Sequence, residues 1–397
     1  MTERAVLAYS GGLDTSVTIR WLVDQGFEVH AVVVDVGQQD DFAGLVERGM
    51  HAGATTVRVA DAVDRFAAGY LTRAIVANAL YEGAYPMVSG LARPCITEEV
   101  VRVARELGAG TVAHGCTGKG NDQVRFEVSF MVLAPDLRIV APIRDANMAR
   151  EKALALAAEW GIAVPAVSST YSVDENLWGR TVECGPLEDP WVAPPEDAFA
   201  RTAPPEARPS EPAEVVLAFE RGVPVGIDGE PRSLPDIVRS LDVLGGAYGF
   251  GRVDMIENRR VGIKSRELYE VPGALSIIRA HRALEDLTLE RDLAHHKPAL
   301  EARWADLVYD GQWFGPLRAA IDAYIGSTQR DVTGEVRLRY EPGSCTVVGR
   351  RSDRSLYDLS LATYGGDDAF DHADAAGYLR LYGLPLKVWA ARQGGSP

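Results

Sequence analysis

Two short stretches hold most of the chemistry this sequence can do. The first is Ala8-Tyr9-Ser10-Gly11-Gly12-Leu13-Asp14-Thr15-Ser16. It follows an apolar run, Ala5 to Ala8, that reads as a buried strand, and precedes Val17 to Val23, which reads as a helix. Small residues at a strand-to-helix turn let backbone N–H groups approach an anion, and the helix N-terminus adds partial positive charge. Ser10, Thr15 and Ser16 add hydroxyls, so the stretch reads as a phosphate cradle. A plain turn capped by Ser or Asp competes with that reading; the strand before and the amphipathic helix after favour the cradle. No lysine follows the glycines, as a Walker A loop requires, and the dinucleotide fingerprint G-x-G-x-x-G is absent. Gly115 to Gly120 has Walker spacing but continues into Asn121.

The second stretch is His114-Gly115-Cys116-Thr117-Gly118-Lys119-Gly120-Asn121-Asp122-Gln123-Val124-Arg125-Phe126-Glu127. It also leaves a predicted strand and enters a predicted helix. Thr117, Asn121, Asp122 and Arg125 offer a hydroxyl, an amide, a carboxylate and a guanidinium. Such a set can hold an amino acid, with Arg for a carboxylate, Asp for an ammonium, and Asn or Thr for either. Helix capping by Asn121 or Asp122 would explain one of these residues, not four of both signs.

The elements that position them alternate. Strands are predicted at Val29 to Val36, Thr55 to Val59, Thr111 to Ala113 and Arg138 to Ile143. Helices are predicted at Thr18 to Gln25, Asp40 to Ala52, Asp61 to Leu80, Thr97 to Leu107, Asp122 to Leu133 and Ala149 to Trp160. Repeated strand–helix units predict a doubly wound parallel sheet, whose ligands bind beyond the strands' carboxyl ends. Pro186 to Pro212 is proline-rich and reads as an extended crossing segment. Beyond it come hairpins around Arg221-Gly222 and Pro342-Gly343, and helices at Leu234 to Leu244 and Phe314 to Tyr324. A glycine loop is expected over Gly245 to Gly251. A long helical region spans Leu275 to Val308, broken near Lys297-Pro298. A C-terminal helical region spans Asp371 to Ala390, kinked at Gly383 and Pro385. This second part reads as α+β.

The chain of 397 residues has room for two domains and a large core. Its net charge of −15 argues against non-specific nucleic-acid binding, yet local donors can still form an anion pocket. Cys95, Cys116, Cys184 and Cys345 form no C-x-x-C pair and read as reduced thiols of a cytosolic protein. Cys116 reads as a packed small residue rather than a nucleophile. No apolar run is long enough for a membrane span, and no signal peptide is expected.

The string S-G-G-x-D-T-S resembles the pyrophosphate loop of N-type ATP pyrophosphatases. Together with G-x-T-G-K-G-N-D-Q-V-R-F-E it resembles the argininosuccinate synthase family. Three further segments fall in that family's order: Tyr85 with Leu91-Ala92-Arg93-Pro94; Tyr171-Ser172-Val173-Asp174-Glu175-Asn176-Leu177-Trp178-Gly179; and Glu257-Asn258-Arg259 through Lys264-Ser265-Arg266 to Tyr269-Glu270.

The resemblance implies an adenine-nucleotide-hydrolase-like α/β domain over 1–165, a synthetase domain over 166–365 and an oligomerisation helix over 366–397 of a cytoplasmic homotetramer. It implies a ligase joining citrulline to aspartate with ATP and Mg2+, through a citrullyl-AMP intermediate. Ala8, Tyr9, Ser10, Gly11, Gly12, Leu13, Asp14, Thr15 and Ser16, with Val34 and Gly115, would bind ATP. Thr117, Asn121 and Asp122 would bind aspartate. Tyr85, Asn121, Arg125, Ser172, Glu257 and Tyr269 would bind citrulline. Asp14, Asp122 and Arg125 are the catalytic candidates, no protein metal ligand is expected, and the base could be Asp122 or a substrate phosphate. Gly90 and Thr181 depart from the family pattern, each standing where many members have a serine, and Cys116 replaces a commoner alanine.

Overall fold

The computed structural model describes residues 2–148, 150–162, 170–365 and 369–393. Ala149, where a helix was expected to begin, lies outside these residues, as do the expected boundary positions 165, 166 and 366.

Strands β1 (Arg4–Ala8), β2 (Glu28–Asp35), β3 (Thr56–Asp61), β4 (Thr111–Ala113) and β5 (Arg138–Val140) form the expected parallel sheet, in the order β3-β2-β1-β4-β5. Alternate residues face different cores. Val6, Val32, Val34 and Val112 enter one, whereas Ala5, Leu7, Val29, Ala31, Val33 and Ala113 enter the other. Burial on both faces explains the near-continuous apolar runs. The strand order reverses between β1 and β4, which pair directly. Their carboxyl ends open into the two chemistry-bearing stretches, so topology alone brings those stretches together.

Several boundaries differ from expectation. The helix expected from Thr97 begins at Val88 and runs to Leu107 through Pro94. Its first turns are buried on every side, from Val88 through Ala92. A helix buried all round has no polar face and hence no amphipathic period to read. The run expected over Asp61 to Leu80 is helical from Val63 to Val76, with a π-helical turn at Ala67–Leu71. Asn78, at φ +42°, ends it. The long helical region breaks at Glu290, not at Lys297-Pro298. The Glu290 carboxylate accepts from Asp292 N and Leu293 N at 3.0 and 3.2 Å, starting the helix Arg291–Tyr309. Gly245 and Gly246 lie within the helix Leu234–Ala247 rather than in a loop.

The second half adds β6 (Ser172–Asn176), β7 (Gly179–Glu183), β8 (Ala213–Glu220), β9 (Val223–Ile227), β10 (Glu230–Pro231), β11 (Arg252–Asn258), β12 (Lys264–Glu270), β13 (Gly334–Glu341) and β14 (Ser344–Arg351). They form two antiparallel sheets, β11-β12-β7-β6 and β10-β9-β8-β13-β14. Both expected hairpins are present. One core cluster runs from Val6 and Val112 to Leu217, Ile277 and Leu338, and residues 1–354 make one compact unit. Residues 355–397 make a second. It holds helices His372–Tyr382 and Leu384–Arg392, divided at Gly383 with Pro385 in the first turn of the latter. Leu379, Leu381, Leu386 and Trp389 are exposed.

A buried polar knot pins the Val63–Val76 run to the helices Pro272–Thr288 and Arg291–Tyr309. Lys297 Nζ donates to Val76 O at 2.8 Å, and lies 2.9 Å from Glu285 and against Glu301. Asn78 Nδ2 donates to both carboxylates at 2.6 and 2.7 Å. Lys297→Met would leave two buried carboxylates without their cation and should cost about 3–5 kcal/mol of unfolding free energy. Urea titration tests this; a loss below about 1 kcal/mol would contradict it.

Candidate functional site

The first loop is tied to the sheet and to itself. Tyr9 N donates to Val32 O at 2.9 Å, and the buried Tyr9 hydroxyl lies 3.4 Å from Ser16 Oγ. Ser10 Oγ and Thr15 Oγ1 are 3.2 Å apart on the exposed side, and Thr15 Oγ1 donates to Gly12 O at 3.3 Å. The helix begins at Leu13, and the Ser16 N to Gly12 O bond of 3.0 Å closes its first turn. The amides of Leu13 to Thr15 therefore sit in the turn that has no helical acceptor. Asp14 lies in that turn. Burial pushes its carboxyl upward and Arg150 draws it back. Val34 is buried near the end of β2, where its carbonyl accepts from Gln38 Nε2 at 2.9 Å.

Gly115 joins the two stretches. A Cβ on it would stand 2.9 Å from Thr15 Cγ2 and 3.1 Å from Thr15 N. Only a residue without a side chain lets the backbone leaving β4 lie against the cradle. Below it, His114 is buried and stacked on Phe126 at 5.8 Å. Its Nε2 meets Glu127 at 3.1 Å, and its Nδ1 accepts from Cys116 N at 3.2 Å. The Cys116 thiol is pushed up by burial, which fits packing and not nucleophilic attack.

Asp122 is held between two guanidiniums. Arg93 Nη2 lies 2.8 Å from Asp122 Oδ2, and Arg125 Nη1 lies 2.8 Å from Asp122 Oδ1. Burial works against the carboxylate, but the charges and hydrogen bonds of Arg93 and Arg125 outweigh it and pull its pKa to about 2. A carboxylate so held is a poor proton acceptor near neutrality, which removes Asp122 from the candidate bases. Arg93 also meets Asp174 of β6 at 2.8 Å, and Ser89 Oγ donates to the same carboxylate at 2.6 Å.

Tyr85, Glu257 and Tyr269 meet on one face of the β11-β12-β7-β6 sheet. Tyr85 and Tyr269 stack at 4.1 Å, and both are buried. Tyr269 OH donates to Glu257 Oε2 at 3.2 Å. Burial raises the Glu257 pKa while Arg125 opposes the rise. Glu257 does not form the surface pairs open to it in the sequence. Arg259 instead binds Glu183 and Glu267, and Arg260 meets Asp310 at 3.3 Å. Asn121 accepts from Arg260 N at 2.9 Å and donates to Tyr309 OH at 2.7 Å.

The structure thus gathers Tyr85, Asn121, Asp122, Arg125, Glu257 and Tyr269, and sets the cradle against Gly115. Thr117 and Ser172 are exposed and stand outside the buried cluster. Gly90 lies beside Arg125, since a Cβ there would stand 3.8 Å from Arg125 Nε. Thr181 Oγ1 donates to Asp174 O at 3.4 Å. Sequence reasoning gave no role to Arg93, Asp174 or Tyr309. The first two stood inside quoted segments; nothing local marked Tyr309.

The description "Arginosuccinate synthase N-terminal HUP domain" matches residues 4–163, and "Arginosuccinate synthase C-terminal domain" matches residues 171–389. A Bacillus subtilis protein named argininosuccinate synthase is 51% identical over 97% of this chain and 96% of its own. A Rubrobacter xylanophilus protein of the same name is 52% identical over 98% of this chain and 95% of its own.

Because the folded pKa of Asp122 lies below its unfolded value, its contribution to stability is full above about pH 4 and fades as the pH falls toward about 2. The stability gap between wild type and Asp122→Asn should therefore narrow by about 1 kcal/mol between pH 6 and pH 3. Urea unfolding across that range measures it, and a gap independent of pH would contradict the clamp.

Proposed function

The chain belongs to the argininosuccinate synthase family, and from that premise we propose how its residues divide the work. It is an ATP-dependent ligase that forms a C–N bond between citrulline and aspartate, giving argininosuccinate, AMP and pyrophosphate. The citrulline ureido oxygen attacks the α-phosphorus, and pyrophosphate leaves into the loop from Ala8 to Ser16. The aspartate amine then attacks the ureido carbon of citrullyl-AMP and expels AMP. Val34 and Gly115 complete the nucleotide seat. Thr117, Asn121 and Asp122 hold aspartate. Tyr85, Asn121, Arg125, Ser172, Glu257 and Tyr269 hold citrulline. The observation that carries this reading is the convergence of Asp122, Arg125, Glu257 and the stacked Tyr85 and Tyr269 beside a lysine-free phosphate cradle.

The chemistry needs alignment and charge neutralisation more than a covalent nucleophile. Asp122, ionised between two arginines, suits the aspartate ammonium as an anchor. With both His114 ring nitrogens engaged, a substrate phosphate oxygen is the proton acceptor that remains. Among the described residues no group of three His, Cys, Asp or Glu could hold a metal by itself. Mg2+ needs only one or two carboxylates when phosphates supply the other oxygens, and Asp14 in the cradle suits that. When bound, Mg2+ neutralises phosphate charge.

The protein works as a cytoplasmic homotetramer divided at 1–165, 166–365 and 366–397. The apolar side chains exposed on the last segment support contacts between copies, and no described helix is long and apolar enough to cross a membrane. Removing residues from Asp371 onward should lower the mass measured by light scattering to that of a smaller assembly. An unchanged mass would refute the role of that segment.

Incubation with ATP, citrulline and aspartate should release AMP and pyrophosphate in equal amounts. Release of ADP, or release that needs neither amino acid, would sink the reading. Arg125→Lys cannot bond Asp122 and Tyr309 O together, and should lower kcat/KM for citrulline by about 1–3 kcal/mol of transition-state stabilisation. Near-normal citrulline kinetics would count against Arg125.

A further inference from the structure

Tyr309 ends the helix Arg291–Tyr309 and is 1% exposed. Its hydroxyl oxygen accepts from Asn121 Nδ2 at 2.7 Å. Its ring stacks on Tyr81 at 3.6 Å and meets the edge of Tyr85 at 6.4 Å. The Arg125 guanidinium lies over that ring, 5.0 Å from its centre, and Arg125 Nε donates to Tyr309 O at 3.1 Å. Three of the residues assigned to the amino-acid substrates, Asn121, Arg125 and Tyr85, therefore meet this one residue.

Its place is fixed from both sides. Tyr81 OH donates to Asn258 O at 2.7 Å, so the Tyr81–Tyr309 stack is anchored to the end of β11. After Tyr309 the chain turns through Gly311, at φ +76°, where a Cβ would stand 2.9 Å from Arg125 Cα. The helix end is thus seated directly on the backbone that carries Arg125.

We infer that Tyr309 is a positioning residue for both amino-acid substrates, holding the Asn121 amide through its hydroxyl and the Arg125 guanidinium through its ring and carbonyl. The inference rests on the assignment of Asn121 and Arg125 to those substrates. Asn121 can present a fixed amide only while its donor is held, and Tyr309 holds it. Arg125 is fixed from the same residue, because the Tyr309 ring faces its guanidinium and Tyr309 O accepts from its Nε. Tyr309 thus joins a group shared by both substrates to one that serves citrulline alone.

The test is steady-state kinetics of wild type, Tyr309→Phe, Asn121→Ala, their double variant and Tyr309→Leu, with melting temperatures for each. Tyr309→Phe keeps the ring and its stack on Tyr81. It should raise KM for both citrulline and aspartate about tenfold, the ordinary effect of one lost hydrogen bond, and leave KM for ATP within about twofold. In the Asn121→Ala background the same change should add less than about threefold to KM for aspartate, because the bond is already cut. Tyr309→Leu, which also removes the ring facing Arg125, should raise KM for citrulline beyond the Tyr309→Phe value. A folded Tyr309→Phe enzyme with both amino-acid KM values within twofold of wild type overturns the inference. So does a folded Tyr309→Leu enzyme whose citrulline KM does not exceed that of Tyr309→Phe. If wild type itself releases no pyrophosphate with citrulline and aspartate, the functional reading falls and takes this inference with it; in an active wild-type enzyme, unmoved variants refute the positioning role alone.

Discussion

The clamp on Asp122 is the interaction on which the rest of the site depends. Arg93 comes from the helix Val88–Leu107, Asp122 and Arg125 from the helix Asp122–Leu133, and Asp174 from β6. Two guanidiniums and two carboxylates taken largely out of water are tolerable only when each finds its partners. The arrangement therefore fixes three elements against one another. One belongs to the antiparallel sheet and the other two cover the parallel sheet. That fits residues 1–354 forming one compact unit, with one core cluster running through both halves, although their sequence reads as two styles of folding. It also explains why charged residues occupy so buried a place: remove one, and the others lose the partner that made burial possible.

Topology supplies what the clamp does not. The cradle leaves β1 and the second stretch leaves β4, and these strands are neighbours at the point where the sheet order reverses. Gly115 then lets the two backbones touch. The proposed phosphate and amino-acid sites are thus separated by a few residues of one loop, from Gly115 to Asp122. Across from that loop, the antiparallel sheet presents Glu257 and Tyr269 on one face. The turn after β11 reaches back, with Arg260 N on Asn121 and Arg259 on Lys119 O. Within a chain of net charge −15, Arg93, Arg125 and Arg259 are each paired with carboxylates of the site and its surroundings.

Much of this was legible in the residues, and the exceptions have physical causes. The parallel sheet declared itself because strands buried on both faces read as apolar runs. The helix Asp122–Leu133 matched its expected ends, since polar residues mark its start and Pro135 follows its last turn. The helix carrying Arg93 was read nine residues short because its first turns are buried all round. Strands β6, β7, β11 and β12 escaped notice because one face of their sheet is lined with Asp174, Glu183, Glu257 and Glu267, which breaks the alternation expected of a half-buried strand. Tyr309 lies 188 residues from Asn121 along the chain and carries no local pattern. Contacts of that kind are set by packing, and a local sequence pattern does not encode them.

The absent lysine in the cradle follows from where the bond breaks. In a Walker loop the lysine serves the β- and γ-phosphates while the γ-phosphoryl group is transferred. Cleavage at the α-phosphorus makes both outer phosphates part of one leaving group. Charge then develops on pyrophosphate as a whole, and a ring of amides and hydroxyls distributed over it suits that better than one point charge at its far end. On the proposed assignment, Ser10, Thr15 and the amides of the first helical turn form such a set, and the cationic side chains stand instead at Asp122, where aspartate would arrive. Diffuse donors would then meet the departing polyanion and paired ions the arriving zwitterion. Such a placement would separate the two half-reactions in space while one short loop keeps them in register.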